Sequence, residues 1–136
     1  MNIFDENIPD TQRQLIKSWR IRIYQMGNDV GQKGIKDQEF LYFLLTKHKP
    51  VFFTRDLGFY KHHLCHPHYC LVCLAVTRDE TAIFIRRLFN HPEFETFTKQ
   101  MGTIIRVSHQ GLYVWQRNVE QENFLSWSPN LSLAGL

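Results

Sequence analysis

Apolar residues fall in short dense runs separated by polar, often glycine-bearing stretches, and the period of the runs changes along the chain. Val51-Phe52-Phe53, opened by Pro50 and closed by Thr54-Arg55-Asp56, is rich in strand formers and reads as a strand, Val51–Thr54. Asn2–Asp5 has the same form, a short strand ending in acid. Leu15, Ile16 and Trp19 recur at helical spacing, so Pro9–Ser18 reads as a helix, with Pro9 in the first turn where no donor is needed. Arg20–Gln25 alternates around Ile21 and Ile23 and reads as a second strand, and Met26–Lys36, with three glycines, as a loop. The pattern predicts a helix over Asp37–Thr46, with Phe40 and Leu44 on one face. Leu57–His68 is irregular, and Tyr69–Val76, the longest apolar run, reads as a fully buried strand.

Thr77 and Glu80 have capping-box spacing ahead of a helix that carries Ile83, Phe84, Leu88 and Phe89 and ends near His91-Pro92. Phe94, Phe97 and Met101 mark a short helix stopped by Gly102. Thr103–Ser108 and Leu112–Gln116, joined through His109-Gln110-Gly111, predict a terminal hairpin. From Asn118 on the chain turns polar and loses its period; Phe124 and Trp127 are its candidates for docking. The alternation of strand and helix calls for an α/β fold with a mainly parallel sheet covered on both faces, and with Asn2–Asp5 and Val51–Thr54 adjacent or nearly so. We expect one domain over 1–117 and a tail over 118–136.

Composition narrows this little. With 43% hydrophobic and 21% charged residues the chain is expected to fold. No apolar run reaches the length of a membrane span, and no positive segment followed by an apolar core opens the chain, so a cytoplasmic protein is expected. A net charge of +3 is too small to indicate nucleic acid by itself. Cys65, Cys70 and Cys73 are an odd count, which favours thiols over a disulfide framework.

Candidate chemistry lies at the junctions between elements. Asp5 with Glu6, Asp37 with Glu39, and Asp56 each sit where a strand ends or a helix begins. In open α/β sheets the crevice beyond the strand ends is where ligands bind. The bland account is that Asp37 caps its helix and Asp56 the turn after it, and for a lone strand-end aspartate the bland account is favoured. Several carboxylates brought together repel, and a hard divalent cation relieves the strain by taking oxygen ligands. Such a cation activates water and stabilises a phosphoryl transition state. Lys36, Arg55 and Lys61 are the basic residues placed to hold a phosphate backbone. His62, His63, Cys65, His66, His68, Cys70 and Cys73 crowd one segment, and Cys70-x-x-Cys73 has zinc-ligand spacing. In a strand, residues three apart face opposite ways, so the expectation is buried free thiols without zinc.

The stretches MNIFDENIP and KDQEFLYFLLTKHKPVFFTRDLGFY resemble the small bacterial PIN-like domains, relatives of the toxin ribonucleases of toxin–antitoxin modules. The resemblance is strong over Met1–Tyr60 and continues more weakly to about Gln116. It implies a PIN-like three-layer sandwich and a Mg²⁺- or Mn²⁺-dependent endoribonuclease acting on single-stranded RNA. Carried over, Asp5, Asp37 and Asp56 would be the catalytic and metal-binding acids. The chain is short between its second strand and Asp37, where the longer toxins carry a helical pair and a further glutamate; Glu6 and Glu39 are the candidates to replace it. Candidate partners are single-stranded RNA, an antitoxin protein and a second copy of the chain. Two other readings stay open. One is a phosphoacceptor receiver using Asp5, Glu6, Asp56 and Thr77. The other is a catalytically inactive RNA-binding or interaction protein presenting Trp115, Phe124 and Trp127.

Overall fold

Consecutive residues of a strand point to opposite faces, so a run such as Val51-Phe52-Phe53 buries side chains on both. In the computed structural model, which describes residues 1–31, 34 and 37–127 (Asp37 by its backbone only), this happens in one seven-stranded sheet. Its strands are β1 (Asn2–Phe4), β2 (Tyr24–Gln25), β3 (Val51–Thr54), β4 (Cys70–Leu74), β5 (Thr103–Val107), β6 (Gly111–Gln116) and β7 (Asn123–Ser126). Their spatial order is β2-β1-β3-β4-β5-β6-β7. The first five are parallel, and β6 and β7 close the sheet in antiparallel sense. The helices among the described residues are α1 (Asp10–Ser18), α2 (Asp37–Leu45), α3 (Thr81–Phe89) and α4 (Phe97–Gln100).

The helices cover both faces. Phe4, Val51, Phe53, Cys70 and Val72 share one core with Ile16 of α1 and Phe84, Ile85 and Leu88 of α3. Ile3, Phe52, Leu71 and Cys73 share the other with Phe40 and Leu44 of α2 and Phe59 of the β3–β4 connection. Gln12 ties the first layer together: its side-chain oxygen accepts from the Ala82 backbone N–H at 2.9 Å, joining α1 to the start of α3. The chain leaves β1 toward β2 on one side and returns through α2 to β3 on the other. The order therefore reverses between β1 and β3, and their carboxyl ends open onto a crevice.

The strand expected over Tyr69–Val76 runs over Cys70–Leu74, and the structure departs further from expectation at four places. The strand expected over Arg20–Gln25 is reduced to Tyr24–Gln25, because Arg20 takes a left-handed φ of 64° directly after α1 and breaks the extended run. Ile21 and Ile23 still pack on the first core, which is why they alternate. The Thr77–Glu80 capping box is present, but its turn is a 3-10 turn and α3 starts only at Thr81. The helix expected around Phe94–Met101 is the single turn α4; Phe94 is buried before it begins. The tail's Asn123–Ser126 adds β7 to the hairpin and makes it a three-stranded meander. Its residues are mostly exposed, so no core imposed a period on the sequence. Phe124 is 47% exposed and rests on Tyr113, with ring centres 5.0 Å apart, while half-buried Trp127 donates its Nε1–H to the Ser108 carbonyl at 2.7 Å. Residues 128–136 lie outside the described residues.

Gly111 opens β6 under β7. A Cβ there would lie 2.5 Å from the Leu125 carbonyl oxygen and 2.8 Å from the Phe124 ring. Gly111→Ala is expected to cost about 1–3 kcal/mol in chemical denaturation and to remove hydrogen-exchange protection from β7 before the parallel strands lose theirs. Unchanged β7 protection would contradict this packing.

Candidate functional site

The adjacent carboxyl ends of β1 and β3 position the acids. Phe4 pairs with Phe53 in the ladder, and the Asp5 N–H continues it to the Phe53 carbonyl at 2.9 Å. That register sets Asp5 beside Thr54, which is wholly buried. The Thr54 hydroxyl donates to Asp5 Oδ2 at 2.7 Å and accepts the Asp56 N–H at 3.0 Å and Asn7 Nδ2 at 3.4 Å. Asn7 Oδ1 in turn accepts the Arg55 N–H at 3.3 Å. One hydroxyl thus links both strand ends, and its donor and acceptor capacity is used.

Asp5, Glu6 and Asp56 line a cleft of ≈130 Å³ whose other walls are Met26, Gly34, Phe40, Phe52 and Phe59. The cleft sets carboxylates against aromatic rings. Burial pushes the Asp5 carboxyl above its ordinary value of 3.8; bonds from the Thr54 hydroxyl and the Glu6 N–H oppose the rise, and the charges of Glu6 and Asp56 add to it. Glu6 Oε1 accepts the Gly34 N–H at 3.1 Å, which fastens the glycine loop to the cleft. Asp56 Oδ1 accepts the Gly58 N–H at 2.9 Å and starts the 3-10 turn Leu57–Phe59, so the bland capping account of this residue holds. Its second oxygen takes no hydrogen bond from any described residue.

The other candidate positions are distributed around this cleft. The backbone of Asp37 opens α2 as expected, and its side chain lies outside the described residues, as does Lys36. Glu39 is exposed on α2 and does not line the cleft. Arg55 is half-buried, and its Nε has no hydrogen-bond partner among the described residues. Lys61 lines a neighbouring cleft with Gly58, Phe59 and His63, and Phe59 is common to both. The sequence reading did not single out Asn7 or the binding role of Thr54. The signal was present: a threonine closing an apolar strand two residues before an aspartate, opposite a D-x-N turn.

Cation binding can be judged from the donors. Two or three carboxylates with a raised Asp5 suit a hard cation, which would restore the ionised form. Among the described residues, however, no group of three His, Cys, Asp or Glu side chains converges closely enough to hold a metal; the fit rests on Asp5 and Asp56 with Glu6 behind them. The zinc-like spacing of Cys70 and Cys73 does not bring the two thiols together. Cys70 and Cys73 are buried on opposite faces of β4, Cys70 beside the Thr103 hydroxyl in the first core and Cys73 in the second. Burial pushes both thiols up to about 12, so neither is a thiolate near neutrality. His62 stacks on Trp115 with ring centres 4.5 Å apart, and its Nε2 meets the Gln116 carbonyl at 2.9 Å.

Comparison with family models, curated proteins and solved structures finds no match for this chain. What can be said of its chemistry rests on the cleft.

In the unfolded chain the Asp5 carboxyl ionises at its ordinary value; in the fold it holds its proton to higher pH. The stability it contributes is fully present below 3.8 and is lost as pH rises through the raised folded value. Asp5→Asn removes this titration while leaving an oxygen for the Thr54 hydroxyl. The stability of Asp5→Asn relative to the native chain is therefore expected to improve from below 3.8 to neutrality. A pH-independent difference in denaturation free energy would show that Asp5 is not strained.

Proposed function

We propose that this chain is a Mg²⁺- or Mn²⁺-dependent endoribonuclease of PIN-like type acting on single-stranded RNA. The observation that carries the proposal is that Asp5, Glu6 and Asp56 line one cleft at the reversal between β1 and β3, with Asp5 half-buried beside the like charges of the other two. A carboxylate set of this kind is poorly suited to stand alone and well suited to a hard cation. Asp5 and Asp56 would hold it directly, Glu6 from the rim, and Asp37 is assigned the fourth place by the resemblance of its segment to PIN-like domains. The ion supplies Lewis-acid stabilisation of phosphoryl charge and lowers the pKa of water.

The residues themselves position and exclude. Thr54 holds the Asp5 carboxylate in one orientation, and the Asp56–Gly58 bond does the same for Asp56. Phe40, Phe52 and Phe59, each nearly fully buried, keep water from one wall of the cleft. Lys61, Arg55 and Lys36 are the cations assigned to the RNA backbone. The cleft alone is small, so the substrate would lie across its mouth, with only a phosphate entering.

A phosphoacceptor receiver needs Thr77 available beside Asp56. The Thr77 hydroxyl instead donates to Glu80 Oε1 at 2.6 Å, and the Glu80 carboxylate also pairs with His109 at 2.9 Å. The geometry therefore favours the nuclease reading. An antitoxin partner and a homodimer belong to the same proposal and rest only on the resemblance to toxin ribonucleases.

The test uses the full chain saturated with Mn²⁺ and a broad pool of single-stranded RNA. Metal-dependent cleavage is expected, with abolition by Asp56→Asn. Asparagine keeps an oxygen for the Gly58 N–H, so the melting temperature should hardly change. Asp56→Ala should lose both cleavage and roughly 0.5–2 kcal/mol of stability. A native chain that cuts no RNA in the pool would leave the fold intact and remove the nuclease.

A further inference from the structure

The amino ends of the parallel strands, opposite the acids, carry two clefts that share Asn2, Thr96 and Phe97. The smaller, of ≈290 Å³, is walled by Ile21, Phe89 and Phe97 and has Asn2 and Gln100 in its lining. Both amides are nearly sealed, Asn2 being 7% and Gln100 2% exposed. Asn2 Nδ2 donates to the Arg22 carbonyl at 3.3 Å, and Gln100 Nε2 to the Phe94 carbonyl at 2.6 Å. A carbonyl accepts only from the nitrogen, so these bonds fix both amide orientations. Asn2 Oδ1 and Gln100 Oε1 are left without a donor among the described residues. Two buried, unsatisfied oxygens on residues that line one cleft are costly and ask for donors. Glu95 on the same wall is a further acceptor, already paired with Lys99 at 2.8 Å.

The larger cleft, of ≈790 Å³, continues past Tyr24 and Phe97 to Arg22, His48 and Lys49. Lys49 is steadied by the Thr98 hydroxyl at 2.9 Å, and neither it nor Arg22 is ion-paired with a described residue. The groove therefore asks for donors at one end, an anion at the other, and a flat apolar body between.

We propose that this groove binds a nucleoside monophosphate whose base carries an exocyclic amino group at C6 of a purine or C4 of a pyrimidine, that is adenine or cytosine. The amino group supplies two N–H donors for the two orphan oxygens. The phosphate meets Arg22 and Lys49, and the base lies against Tyr24 and Phe97. A polyamine answers the acceptors and leaves the cations unmatched; inorganic phosphate does the reverse. The site lies at the other ends of the strands from the acidic cleft and does not depend on it.

Calorimetric titration of the full chain, with a chelator present so that the acidic cleft holds no metal, tests this. AMP or CMP is expected to bind at least about tenfold more tightly than IMP and UMP, which carry an oxygen in place of the amino group, and than adenosine or inorganic phosphate. Arg22→Gln, an exposed change, should weaken AMP and CMP by about tenfold with an unchanged circular dichroism spectrum. Gln100→Leu should weaken them and erase the preference over IMP and UMP. If Gln100→Leu fails to fold, the comparison of bases on the native chain stands in its place. No binding of AMP or CMP at millimolar concentration overturns the proposal. So does equal affinity for IMP and UMP, equal affinity for phosphate alone, or an Arg22→Gln variant that binds as well as the native chain.

Discussion

The register between β1 and β3 is the constraint on which the acidic cleft depends. Both strands are short, and both of their faces are buried, so the usual alternation of apolar and polar residues gives little help in choosing a register. A slip by one residue would still bury apolar side chains, but it would exchange Phe4 and Ile3 between the two cores. The polar ends resist that exchange. The Asp5 N–H reaches the Phe53 carbonyl, and the Asp5 carboxylate takes the hydroxyl of a wholly buried Thr54. A slipped pairing would strand that hydroxyl, which is expensive to bury unsatisfied. The Phe4 and Phe53 rings, 5.0 Å apart, fit the same alignment. The residues that create the candidate site therefore also lock the sheet.

The two ends of the parallel strands have opposite chemistry. Carboxylates gather where β1 and β3 end, and Arg22, His48 and Lys49 gather where the strands begin. A net charge of +3 averages over this polarity and hides it. In parallel strands all carboxyl ends share one edge, so a polar residue placed consistently after a strand is concentrated by topology alone. The buried amides of Asn2 and Gln100 follow the same logic at the other edge, where the start of β1 meets the approach to β5.

The His/Cys-rich segment shows spacing undone by geometry. Cys70 and Cys73 have ligand spacing along the chain, and the pleat sends them into different cores. His62 packs flat on Trp115, and His66 lies parallel to Tyr69 with ring centres 5.3 Å apart. Imidazoles used as flat packing surfaces explain the residue choice as well as ligation would. His62 fastens the β3–β4 connection to β6, and His66 packs within the connection itself.

The sequence by itself determined the alternation of strands and helices, the mainly parallel sheet and the acids at its junctions. Those features are local: apolar runs, capping spacing and strand ends are set by neighbours along the chain. Asp5 and Asp56 were legible because both follow apolar runs that could only be buried strands. Arg20, in a left-handed turn held by the end of α1, cut β2 short. Three things were settled by contacts between elements. Asn123–Ser126 became β7 through pairing with β6 rather than through any period of its own. Thr54 became the link between acids because β1 lies beside it, forty-nine positions away in the chain. Asn2 and Gln100 became unpartnered acceptors because Arg22 and Phe94 take their nitrogens. A side chain's type is written in the sequence, but its solvation and its partners are decided by which strands lie side by side, and that is a property of the assembled sheet.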